Sequence, residues 1–121
     1  MMIKRIMLLL LACCVVYVSS QEADAQKIEW RRIKADFSNL EDFYHSAEVG
    51  FKKYFKRYSP QVISKSGERL IMKAKYGKYD IICTFYLGED SQYIVSIDTK
   101  FDRDRIKWIE NVVKQTEKQR K

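Results

Sequence analysis

The chain has 121 residues, a length typical of a single domain. Hydrophobic residues make up 46% of it and charged residues 32%, which excludes the low hydrophobicity of an intrinsically disordered protein. The formal net charge of +7 favours anionic partners over cationic ones.

The N-terminus has the three zones of a secretory signal peptide. Lys4 and Arg5 give a short positive region, residues 6–18 are an unbroken apolar run, and residues 19–26 are polar with small side chains. The apolar run has 13 residues, fewer than the about 20 that a helix needs to cross a bilayer. We therefore expect an exported protein, periplasmic or secreted, whose mature form has no transmembrane span.

The polar end of this segment offers two cleavage sites. The sequence Ala23-Asp24-Ala25 has small residues at the two positions that a signal peptidase reads, so we expect cleavage between Ala25 and Gln26. Cleavage after Ser20 is an alternative. A second alternative is a lipoprotein anchored at Cys13, because Leu10-Leu11-Ala12-Cys13 resembles a bacterial lipobox, although apolar residues continue beyond it.

Residues 26–121 are then expected to form one small domain that keeps the net charge of +7. Its only cysteine is Cys83, so no internal disulfide can form and stability must come from packing. Residues 26–36 fit neither strand alternation nor helical spacing cleanly, and we interpret them as a short strand or an extended lead-in.

A first helix is predicted from residue 38 to about Tyr58. Ser38 and Glu41 have the spacing of a capping box, and Pro60 disfavours helical geometry at Ser59. The apolar stripe recurs at three- and four-residue steps and consists of Leu40, Phe43, Tyr44, Ala47, Phe51, Tyr54 and Phe55.

Period-two patterns follow from residue 60 onward. Turns are predicted at Ser66-Gly67, at Gly77-Lys78 and over residues 88–91. Between them, one apolar face is expected to hold Leu70, Met72, Ala74, Tyr76, Ile81, Cys83, Phe85, Leu87, Tyr93, Val95 and Ile97. Short strands joined by tight turns indicate an antiparallel meander of three to four strands.

A second helix closes the chain, with Asp102 or Asp104 as its cap. Its apolar stripe is expected to consist of Ile106, Ile109 and Val113, with Trp108 and Val112 beside them. The predicted class is α+β: an N-terminal helix, the meander and a C-terminal helix, with both helices packed on one sheet face. This outline is similar to cystatin-like and nuclear-transport-factor-like helix-on-sheet scaffolds. No motif is shared with them, so the resemblance implies topology and not function.

Neither catalytic residues nor ligands for a metal or cofactor are predicted. Cys83 is expected in mid-strand on the apolar face as a small hydrophobe, and His45 on the exposed side of the first helix. Turn chemistry accounts for Glu89 and Asp90, and capping at the start of the second helix is expected to account for Asp98, Asp102 and Asp104.

Two segments interleave cations with aromatic residues, a composition that suits polyanions. The predicted basic patch comprises Lys52, Lys53, Lys56, Arg57, Lys73, Lys75 and Tyr76. For an exported protein, the partner would be an anionic envelope component or glycan, and no nucleic acid is expected.

The mixed side of the sheet is the other candidate surface. Ile82, Thr84, Tyr86 and Ile94 would leave apolar groups exposed, which marks an interface with a protein partner or with a second copy of the chain. The sequence therefore predicts a small non-catalytic binding or interaction domain, with an envelope-surface or polyanion binder as the alternative.

Overall fold

The computed structural model describes residues 27–121. The predicted signal peptide, both cleavage sites and the alternative anchor at Cys13 lie outside these residues. The described elements are β1 (Lys27–Lys34), α1 (Leu40–Tyr54), β2 (Gln61–Ser66), β3 (Arg69–Tyr76), β4 (Tyr79–Leu87), β5 (Gln92–Thr99) and α2 (Arg105–Gln119).

The strands form one antiparallel sheet in the order β1-β5-β4-β3-β2. Strands β2 to β5 are a meander, as predicted, and two-residue turns join β2 to β3 and β3 to β4. Gly67 and Gly77 begin these turns with φ values of 57° and 61°, a region that glycine enters without steric cost.

Strand β1 makes the sheet larger than the predicted three to four strands. It pairs with β5 along its whole length, from Lys27 opposite Thr99 to Lys34 opposite Gln92. The ambiguous segment is therefore a strand and not a lead-in. Its weak alternation follows from its place at the sheet edge, where only Ile33 among its apolar residues faces the core.

Both helices cover one face of the sheet, and the core lies between them. Alternate residues of β3, β4 and β5 point into this core, which confirms the predicted period-two pattern. The fully buried side chains of the sheet include Leu70, Met72, Ile81, Phe85 and Ile97. Phe43, Phe51, Phe55, Ile109 and Val112 oppose them from the helices.

The cap of α1 lies one residue later than the sequence predicts. Asn39, not Ser38, is the N-cap, and its side chain accepts a hydrogen bond from the Asp42 N–H at 2.8 Å. The Asp42 carboxylate in turn accepts from the Ser38 N–H at 3.0 Å. The predicted partner Glu41 is exposed, because the helix buries Asp42 at that turn. The helix also ends earlier, at Tyr54, and a turn leads to Pro60.

Helix α2 begins after Asp104, one of the two predicted cap residues. Its side chain makes no capping hydrogen bond, since the residue has a left-handed backbone with φ of 68°. The predicted stripe is partly wrong: Ile109 is buried, but Ile106 is 51% exposed. The buried face consists of Trp108, Ile109, Val112 and Thr116. Neither helix in residues 27–121 is both long enough and apolar enough to cross a membrane.

Candidate binding face on the open side of the sheet

The side of the sheet opposite the helices is covered by no helix of the described chain. We call it the open face, and it consists of the side chains that project from the five strands away from the core. Opposed residues in antiparallel strands project to the same side, so the register assigns its members. Its apolar members on β1, β3, β4 and β5 are Ile28, Trp30, Ile71, Ile82, Tyr86 and Ile94.

Two cross-strand rows give the open face its pattern. In one, Trp30 lies opposite Ser96, which lies opposite Thr84. In the next, Arg32, Ile94, Tyr86 and Arg69 follow one another from β1 to β3. The second row places an arginine at each end of an apolar pair.

The predicted partner residues therefore lie together. Thr84, Tyr86 and Ile94 are neighbours across β4 and β5. Ile82 lies two residues before Thr84 on β4 and projects from the same face. Tyr86 is 41% exposed, while the other three are half-buried by their neighbours. A depression of about 700 Å³ adjoins Tyr86 and is lined by Ile71, Arg69 and the β2–β3 turn.

Sequence reasoning missed the contribution of β1 to this surface. Ile28 and Trp30 are 63% and 55% exposed, and both project from the edge strand onto the open face. The signal for them was the two-residue spacing of Ile28, Trp30 and Arg32. That signal could be used only once β1 was known to pair with β5.

The charges of the open face are predominantly positive. Its cations on the four strands β1, β3, β4 and β5 are Arg32, Lys34, Arg69, Lys73 and Lys75. Its carboxylates are Asp80 and Asp98. Lys73 lies 3.8 Å from Asp80, so one of the five cations is partly neutralised within the face.

Asp98 lies between two isoleucines on this face, with Ile28 opposite it on β1 and Ile82 opposite it on β4. Its Oδ1 atom is buried and has no hydrogen-bond partner within residues 27–121. Burial raises the pKa of this carboxyl above its usual value, because the charged form loses hydration that no donor replaces.

The predicted basic residues divide between two sides of the sheet. Lys52 and Lys53 lie on the exposed side of α1, in the helical layer, and Lys56 and Arg57 follow in the turn after it. Lys73 and Lys75 alternate with the buried Met72 and Ala74, so they project from the open face. These cations therefore do not form one continuous patch.

Tyr76 belongs to neither group of cations. Its ring packs in an aromatic cluster on the helical side, with ring centres 5.3 Å from Tyr58, 5.1 Å from Phe101 and 5.4 Å from Trp108. The ring is half-buried there, and its contacts are those of a packing residue.

The two side chains considered for catalysis have different environments. Cys83 is fully buried on the core side of β4, and burial raises the pKa of its thiol well above the usual value. His45 is exposed on α1, where it lines a shallow depression with Asn39, Glu41 and Asp42. Within residues 27–121, no three side chains of the His, Cys, Asp and Glu types are grouped to hold a metal ion.

Asp102 and Asp104 line a second depression, of about 400 Å³, at the start of α2 together with Glu29 and Arg105. Glu89 and Asp90 lie in the β4–β5 turn, where Asp90 adopts a positive φ of 59°. Glu89, Asp90, Asp102 and Asp104 therefore have the turn and helix-start positions that the sequence predicts for them, but Asp98 lies within β5 and Asp104 makes no capping hydrogen bond, so the predicted capping role is wrong for both.

No family model matches the chain, and no curated protein matches it. Among solved structures, the crystal structure of TTHA0849 from Thermus thermophilus is similar over 78% of this chain and 95% of that one, at 15% identity. The TM-score is 0.37, so we draw no structural or functional conclusion from this similarity.

Proposed function

We propose that this protein is an exported, non-catalytic binding domain whose binding surface is the open face. The observation that carries the proposal is the composition of that face. It combines apolar side chains, among them the exposed Trp30 and Tyr86, with cations on both flanks, and no helix of the described chain covers it. Exposed apolar groups of this extent typically mark an interaction site.

The core-side position of Cys83 supports binding over catalysis, since a nucleophilic thiol needs partial exposure and a lowered pKa. Export is supported by the sequence of residues 1–26 alone. The two parts of the proposal therefore need separate tests.

Export is tested by the intact mass of the protein recovered from the cell envelope and from the medium. A mass starting at Gln26 or Gln21 is expected. An acylated chain starting at Cys13 would support the lipoprotein alternative, and a full-length chain in the cytoplasm would overturn export.

Binding through the open face is tested with a photoreactive phenylalanine derivative in place of Tyr86. The matched control places the same group at Lys114, an exposed position on α2. In cells that produce these variants, a crosslinked product is expected when the photoreactive group replaces Tyr86 and not when it replaces Lys114. No product at either position, or equal products at both, would overturn the assignment of the face.

Polyanion binding is the second candidate, favoured by the exposed cations near the end of α1. Because the two cation groups lie on different sides of the sheet, they can be tested separately. The variant Lys52→Gln/Lys53→Gln/Lys56→Gln/Arg57→Gln alters the helical side, and Lys73→Gln/Lys75→Gln alters the open face. Retention on heparin that falls in neither variant would overturn this candidate.

A further inference from the structure

The edge strand β1 presents an apolar pair next to a cationic pair on one surface. Ile28 and Trp30 are followed on the same side by Arg32 and Lys34, because alternate residues of a strand share a face. All four side chains are exposed. A tryptophan at such a site matches the preference of this residue for the boundary between lipid and water.

The cations extend this arrangement across the sheet. Arg69 lies at the far end of the row that begins with Arg32, and Ile94 and Tyr86 lie between them. Long cationic side chains can place their charged ends at phosphate groups while their aliphatic parts contact apolar neighbours. Apolar area and positive charge on the same surface together strengthen adsorption to anionic lipids.

We infer that the open face docks on an anionic phospholipid surface, with Ile28 and Trp30 entering the headgroup region and Arg32 and Arg69 at lipid phosphates. This inference depends on the proposed function, since it specifies the partner of the same face. Among the residues of this docking surface, only Tyr86 and Ile94 belong to the partner face that was predicted from the sequence.

Two other occupants fit the face less well. A glycan would stack on aromatic rings, but four of the six apolar side chains are isoleucines, which offer no flat ring. A second copy would bring two surfaces together that each carry five cations against two carboxylates on β1, β3, β4 and β5, and like charges repel.

The experiment uses the form that accumulates when the full-length chain is expressed, with its intact mass determined first. Binding is measured by co-sedimentation with vesicles containing about one-third phosphatidylglycerol in phosphatidylcholine, and with phosphatidylcholine alone. All variants are compared in the same chain form, so any contribution of residues 1–26 is constant. Tryptophan emission is recorded in parallel, because Trp108 is buried and Trp30 is exposed.

We expect binding to the anionic vesicles only, with a blue shift in emission that Trp30→Phe abolishes while Trp108 remains. Ile28→Gln/Trp30→Gln should weaken sedimentation. Arg32→Gln/Arg69→Gln should lower the partition coefficient by roughly tenfold or more. The matched control Lys52→Gln/Lys53→Gln removes the same charge from α1 and should lower it much less.

The inference is overturned if the anionic vesicles do not bind the protein, if the control variant loses as much binding as Arg32→Gln/Arg69→Gln, or if the blue shift persists in Trp30→Phe. Crosslinking at Tyr86 without vesicle binding would overturn the lipid partner and leave the binding face standing. The same conclusion would follow if the protein formed a dimer that the variant Ile28→Gln/Trp30→Gln dissociated. Failure of both assays would remove the proposed function as well.

Discussion

Gly50 of α1 lies directly against Thr116 of α2. A β-carbon at Gly50 would be 2.6 Å from the Thr116 backbone nitrogen and 2.7 Å from its α-carbon. Both contacts are with backbone atoms, so a side-chain rotation cannot relieve them. The absence of a side chain at this one position sets how closely the two helices approach.

Gly50→Ala should therefore lower the free energy of unfolding. The contribution from overpacking alone is expected to be about 1–3 kcal/mol. Alanine also raises helix propensity by about 1 kcal/mol, which offsets part of this loss. Urea denaturation measures the change. Gly67→Ala is the control, because a β-carbon there would meet no atom within 4 Å and only the φ of 57° adds strain. A Gly50→Ala variant as stable as the wild type would contradict the close packing.

Asp42 should stabilise the fold at neutral pH and lose this effect in acid. Burial alone would raise its pKa, but hydrogen bonds from the backbone N–H groups of Ser38 and Lys121 and from the Ser46 hydroxyl outweigh burial and lower it. A lowered folded-state pKa adds stability above the unfolded-state value of about 3.9, and this is lost as the pH falls through the folded-state pKa.

Asp42→Asn should accordingly be less stable than the wild type by about 1 kcal/mol at pH near 7, with a difference that narrows below about pH 4. Chemical denaturation at several pH values measures this. Glu41→Gln is the matched control, since Glu41 is exposed in the same turn. A larger loss in Glu41→Gln than in Asp42→Asn would restore the cap predicted from the sequence.

Asp98 should destabilise the fold at neutral pH and lose this effect in acid. Burial raises its pKa, so the ionised form is less favourable in the folded state than in the unfolded one. Wild-type stability then falls as the pH rises from below about 3.9 through the folded-state pKa. Asp98→Asn should be more stable than the wild type at neutral pH, and the two should converge in acid. Thermal unfolding at both pH values tests this, with the exposed Asp80→Asn as control. A gain independent of pH would refute the role of the charge.

Two isoleucines on α2 test which side of that helix faces the core. Ile109 is fully buried and Ile106 is 51% exposed. Ile109→Ala should cost about 2–5 kcal/mol through lost burial and a cavity. Ile106→Ala should stay within roughly 1 kcal/mol, because it opens no cavity. Equal costs in denaturation experiments would support the stripe predicted from the sequence.

Strands β3, β4 and β5 could be predicted from their side chains because alternate residues of each are buried, whereas β2 is exposed apart from the half-buried Val62. Phe85, Val95 and their alternate neighbours point to a single core, so the period-two pattern is strong. The helix starts were harder. Several polar residues near 38–42 can serve as caps, and the packing of Asp42 decides among them.

The edge strand and the candidate site were only partly predictable. Trp30 and Ile28 are apolar but exposed, and the charged residues around them hide the alternation of β1. Their place beside Ser96 and Asp98 comes from a pairing between segments more than 60 residues apart. The Gly50–Thr116 contact is equally non-local. No local pattern in the sequence carries this information.

The position of β1 in the sheet also affects when the fold can be completed. Residues 27–34 are made well before residues 92–99, which form their one partner strand within residues 27–121. Pairing between such distant segments is slow, because a long loop must close before any contact stabilises it. During synthesis, β1 therefore emerges before β5, the strand with which it pairs. The sheet gains this edge only after residues 92–99 have been made.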